Sequence, residues 1–181
     1  MSETRTAQQL CQEAKEAYER EEFIEAANAF ERAAVSYQAS GDMLSAAEMA
    51  NNRSVALLQA GEAQAALEAV GNTPETFAEA GDVRRQAMAL GNKAAALAAL
   101  NRTEEAEKLY WESARLLEDI GERELRASVM NSISRLQMRG GRYMEAVASM
   151  QSGLEQVKKP NLTQRLLKKL LDIPSQLLRR S

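Results

Sequence analysis

The chain has 181 residues, 45% of them hydrophobic and 27% charged, with a net charge of −3; this is the make-up of a globular chain, not of a disordered one. Histidine is absent and Cys11 is the single cysteine, so the commonest general base is missing, and neither an intrachain disulfide nor a cysteine-rich zinc site can form. No apolar run reaches the length of a membrane span, and the start, MSETRTAQQL, has no apolar signal core, so the expectation is a cytoplasmic protein.

Read in rows of forty, the sequence aligns with itself without gaps. Ala7, Ala47, Ala87 and Ala127 form one column, and Ala26, Ala66, Ala106 and Ala146 another. Ala14, Ser54, Ala94 and Ser134 form a small-residue column; Ala33, Thr73, Ser113 and Gly153 form a second. Phe30, Val70, Tyr110 and Met150 fill a column of large residues. Each row reads as two helices. In the third, Ala87, Leu90, Ala94 and Leu97 recur at helical spacing, and Ala106, Tyr110, Ser113 and Leu117 do so again. A turn is expected between them at Glu21, Gly61, Asn101 or Gly141, where Gly and Asn accept a left-handed conformation. Gly41, Gly81 and Gly121 are expected to end the second helix of each row. Asp42, Asp82 and Glu122 follow, placed to cap the next helix or to favour its positive end.

The second row departs from the pattern. Its second helix reads ALEAVGNTPETFAEA, and Gly71, Asn72 and Pro74 predict a break, with Thr73 capping a restarted helix. The last residues break the charge balance. Residues 1–157 hold 16 Lys and Arg against 25 Asp and Glu; residues 158–181 hold 7 against 1. The register continues into this basic stretch, with Leu167 in the column of Ala7 and Leu170 in that of Leu10, until Pro174. Residues 161–181 are therefore expected to be half of a fifth repeat, a basic amphipathic capping helix broken at Pro174.

GGRYMEAVASM (140–150) and NRTEEAEKLY (101–110) resemble the turn and second helix of the tetratricopeptide repeat. GDVRRQAMALGNKAAALAAL (81–100) resembles the forty-residue variety found in bacterial regulatory arrays and kinesin light chains. The first-helix position usually held by tryptophan is Leu10, Ala50, Leu90 and Met130, and Gly plus an acid replaces the usual inter-repeat proline. The expected fold is all-α: a solenoid of four helix-turn-helix repeats (1–40, 41–80, 81–120 and 121–160) plus the cap. The resemblance further implies a right-handed superhelix and a concave groove, lined by the first (A) helices, that binds a peptide or helical segment of a protein partner.

Asn52 and Asn92 share a column in that groove, with Asn51 and Asn131 one place earlier. Two readings stand: a ladder in which carboxamides hold a peptide backbone, and hydrogen bonds between neighbouring helices. Lys15, Tyr18, Glu48, Gln59, Met88, Arg135 and Arg139 complete the expected groove. Arg135, Arg139 and Arg142 either hold an acidic ligand segment or form a solvated face. The pattern that clamps a chaperone's C-terminal carboxylate in resembling receptors is not reproduced. Trp111 lies outside the core columns and reads either as a candidate second interface or as a side chain in a lateral crevice between repeats. Cys11 reads as a packing residue.

No phosphate loop, carboxylate cluster or basic aromatic stripe appears. The expectation is a non-enzyme with no cofactor, no metal and no nucleic-acid partner. Two further readings stand beside the adaptor. One is a membrane-associated adaptor using the basic C-terminal helix, for which helical-repeat adaptors of membrane fusion are a loose precedent. The other is a self-associating assembly protein, a homo-oligomer.

Overall fold

The computed structural model describes residues 6–155. Among these residues all regular structure is helical: α1 (Ala7–Glu19), α2 (Phe23–Ala39), α3 (Met43–Gln59), α4 (Ala63–Val70), α5 (Thr73–Glu79), α6 (Val83–Ala99), α7 (Thr103–Asp119), α8 (Arg123–Arg139) and α9 (Tyr143–Glu155). The chain divides into two compact units, Met1–Leu109 and Tyr110–Ser181, with the boundary inside α7. The expected cap over 161–181, and its break at Pro174, lie outside the described residues.

Every twentieth residue ends a helix in the same way. Glu21, Gly41, Gly61, Gly81, Asn101, Gly121 and Gly141 all have positive φ, between 60° and 84°. Around each, two backbone bonds close the helix end: at the first inter-row turn Gly41 N–H donates to Gln38 O and Asp42 N–H to Tyr37 O, both at 3.0 Å. These paired bonds satisfy carbonyls that a helix end otherwise leaves open. Asp42 then accepts from the Ser45 amide at 3.0 Å and Asp82 from the Arg85 amide at 2.9 Å, which holds both carboxyls below the usual carboxylate range. Glu122 occupies the same position but makes no side-chain cap bond. A glutamate's extra methylene places its oxygen less well for the short reach to the first-turn amides.

In the first unit, α2 packs against α1 and α3, α3 packs against α4, α5 and α6, and α6 closes on α4 and α5. The core runs through Leu10, Ala14, Ala26, Phe30, Ala33, Met49, Leu57 and Ala66. The small columns are where helices meet: Ala14, Ala33, Ala26, Ser54, Ala66 and Ala94 are all buried. Alanine at these places lets backbones approach, while Phe30 and Val70 fill the space beside them. Cys11 packs half-buried against this core.

The break in the second row is present. Helix α4 ends at Val70, Gly71 takes φ 40° and ψ −118°, and α5 restarts at Thr73. The capping residue is not Thr73, however. Asn72 holds the cap position, and Thr73 is the first residue inside α5, its hydroxyl buried without a hydrogen-bond partner. Pro74 is then the second residue of the helix, within the first turn, where its missing N–H costs no helix bond. Lys93 of α6 donates to the Gly71 carbonyl at 2.8 Å, replacing the bond the broken helix loses.

In the second unit α8 packs on α9. Gly153 permits a close approach: a Cβ there would stand 2.8 Å from Met130 Cβ and 3.4 Å from Ala127 Cα. Ser134 donates to the Ala146 carbonyl at 2.7 Å and Ser149 to Gln137 Oε1 at 2.8 Å, so buried hydroxyls are satisfied across the pair. Arg126 is buried as well, its guanidinium donating to Ser152 O at 3.1 Å and Ser152 Oγ at 3.2 Å, with Glu118 at 3.6 Å.

Candidate functional site

Helix α1 is set in register by a capping box. Thr6 Oγ1 accepts from the Gln9 amide at 3.2 Å, and Gln9 Oε1 accepts from the Thr6 amide at 2.8 Å. That register buries Leu10, Ala14 and Ala17. It leaves Lys15, Tyr18 and Glu19 on the outer side, beside Asn52 and Val55 of α3. With Phe30 of α2 these residues enclose an open cavity of about 310 Å³. The Tyr18 ring meets the edge of Phe23 with centroids 5.4 Å apart, which fixes the cavity wall. Among the described residues, the side chains of Lys15, Glu19 and Asn52 have no hydrogen-bond or ion-pair partner.

Three of the expected groove residues, Lys15, Tyr18 and Asn52, thus converge. Glu19, Phe30 and Val55 line the same cavity and are not among the expected groove residues. In the sequence Phe30 reads only as a member of a column of large residues, and a column cannot show that a buried ring also lines a cavity. Glu19 had a signal: it lies four residues after Lys15, one helical turn away.

The candidate asparagines differ in their contacts. Asn92 Nδ2 donates to Asn51 Oδ1 at 3.0 Å, joining α6 to α3. Asn51 is only 7% exposed. These two side chains bond between neighbouring helices, as in the second of the two readings, whereas the Asn52 and Asn131 side chains make no such bond among the described residues. The column could not reveal this, because Asn51 sits one place earlier and its burial depends on how α3 rotates against α6. Glu48 is also committed: it accepts from Arg85 Nη1 at 3.1 Å, and the same guanidinium bonds Asp82 at 2.7 Å and lies 5.1 Å from the Phe77 ring centre. Gln59 is exposed, and Met88 is exposed with Arg84 Nη1 3.7 Å from its sulfur.

On the second unit, Asn131, Arg135 and Arg139 are exposed on α8. Arg135 donates to Ser132 Oγ at 3.1 Å, and Arg142 pairs with Glu145 at 3.1 Å. Burial pushes the Tyr110 phenol above its ordinary pKa, while a hydrogen bond with Ser132 and the charges of Arg135 and Arg139 pull the other way. Trp111 is 43% exposed on α7.

A family model described as "Soluble NSF attachment protein, SNAP" matches residues 1–171. The chain belongs to the SNAP family. No curated protein matches it. Membership in the SNAP family agrees with a helical repeat of the tetratricopeptide-like kind and with a protein-binding adaptor that is not an enzyme. The finer likeness to kinesin light chains and bacterial regulatory arrays rests on the sequence columns alone. No helix among the described residues of this SNAP-family chain is long and apolar enough to cross a membrane.

Proposed function

We infer that this protein is a non-catalytic, cytoplasmic adaptor whose first unit holds a peptide or helical segment of a protein partner on its A-helix face. The observation that supports this reading is the open cavity between α1 and α3, with Lys15, Glu19 and Asn52 uncommitted around it. Asn51, Asn92 and Glu48 of the same unit are instead engaged with neighbouring helices. The family description names NSF, and an NSF-like protein is the first candidate partner. The test is affinity capture from the source-cell lysate with wild type and with Asn52→Ala. A partner retained by wild type and lost by the variant supports the site. Equal retention moves binding elsewhere, to Arg135, Arg139 or Trp111. No retained protein refutes the adaptor reading.

The division of residues 1–160 into four rows followed by a cap belongs to the same proposal. Its support lies at the end of the described chain. Val147 is 42% exposed, whereas Ala27, in the same column of the first row, is 1% exposed. Val147 is thus an apolar position of the fourth row left open where its first-row equivalent is covered. Deleting residues 161–181 is expected to lower the midpoint of thermal unfolding, and an unchanged midpoint would remove the capping role.

Self-association has one observation in its favour: Met138, Tyr143, Met144 and Val147 are all exposed around the α8–α9 turn. A constant mass by light scattering across micromolar concentrations would sink it.

A further inference from the structure

Rows two to four show what the repeat requires at the positions of Lys15 and Glu19. The equivalents of Lys15 are Val55, Ala95 and Arg135; those of Glu19 are Gln59, Ala99 and Arg139. A pair of opposite charges one turn apart is therefore peculiar to the first row, and helix packing does not call for it. The pair is not spent internally either, because Lys15 and Glu19 make no ion pair with each other or with any other described residue. Between them and Asn52 lies an opening floored by Phe30 and Val55, and its volume of about 310 Å³ is ample for one leucine or phenylalanine side chain.

We propose that this cavity takes the apolar anchor side chain of a partner segment that carries an acid on one side of the anchor and a base on the other. The acid faces Lys15, the base faces Glu19, and the Asn52 carboxamide donates to and accepts from the segment's polar groups beside the anchor. The apolar anchor supplies most of the affinity through burial against Phe30 and Val55. The two rim charges set partner choice, since a like charge at either place is repelled. The proposal rests on the adaptor reading above and adds the chemistry of the ligand.

The test uses the full-length chain labelled with ¹⁵N and three fifteen-residue helical peptides sharing a central leucine. One carries an acid and a base one turn to either side, one carries two acids and one carries two bases. The mixed peptide is expected to shift the amide signals of Tyr18, Asn52 and Val55 and to bind about three- to fivefold more tightly than the others, the discrimination that exposed ion pairs provide. Lys15→Glu is expected to turn the preference to the two-base peptide, and Glu19→Lys to the two-acid peptide. Both positions are exposed, and signal dispersion verifies that each variant is folded. If no peptide moves these signals, or if the charge swaps leave the ranking unchanged, the proposal is overturned. Peptide binding elsewhere on the chain also overturns it while leaving the adaptor reading intact; that reading falls only if the lysate capture retains no protein.

Discussion

The same substitution at two positions forty residues apart should have opposite effects. Asn92→Ala removes the 3.0 Å bond to Asn51 and leaves a carboxamide that is 7% exposed without its donor. Losing one partner of a buried polar pair costs about 1–3 kcal/mol. Replacing asparagine by alanine within a helix returns about 0.5 kcal/mol. The net expectation is a loss of about 0.5–2.5 kcal/mol. Asn52→Ala removes no bond and keeps the propensity gain, so stability should hold or rise by about 0.5 kcal/mol. Urea unfolding followed by circular dichroism at 222 nm measures both. The slopes should be compared as well as the midpoints, because repeat proteins can lose two-state behaviour. A double-mutant cycle of Asn51→Ala with Asn92→Ala should show coupling between the two positions. If Asn52→Ala were the more destabilising variant, or the cycle showed no coupling, the division between structural and uncommitted asparagines would be wrong.

Gly153→Ala should destabilise the second unit by about 1–3 kcal/mol, since its Cβ would stand 2.8 Å from Met130 Cβ; hydrogen exchange should quicken along α9, and unchanged protection there would contradict the close approach. Glu21 holds a left-handed φ of 61°, so Glu21→Gly should raise stability by about 1 kcal/mol, and a lower unfolding midpoint would show that the side chain matters more than the backbone. Asp82 has its pKa depressed in the folded chain, first by the Arg85 amide and further by the Arg85 side chain. Its contribution is therefore complete above the ordinary aspartate range and is lost as pH falls through the lower folded value. Asp82→Asn should flatten the acid limb of a stability–pH curve, and an unaltered limb would exclude the cap as a source of acid sensitivity.

The turns and small columns are legible in the sequence because they are backbone demands. A helix must end, and a residue with φ near 60° to 84° is cheapest as Gly or Asn; this wrote the phrase GD at 41–42 and 81–82 and GE at 121–122. Two helices can approach only where side chains are small, and that left alanine at 26, 66, 106 and 146. The break at Gly71 was legible for the same reason, although the cap slipped from Thr73 to Asn72, because one residue of helix start is worth little energy and neighbouring packing decides it.

The sequence by itself determined the helical repeat, its period, its turns and its lack of histidine chemistry, each a local property repeated often enough to be read. Tertiary structure alone decided which polar side chains are free. Asn51, Asn52 and Asn92 look alike in the chain, and so do Lys15 and Glu48 as exposed charges on A helices. Only the rotation of α3 against α1 and α6 turns Asn51 inward to accept from Asn92, brings Glu48 to Arg85, and leaves Lys15 and Asn52 facing an opening floored by Phe30. That rotation is set by packing summed over entire helices, and no single column of the repeat records it.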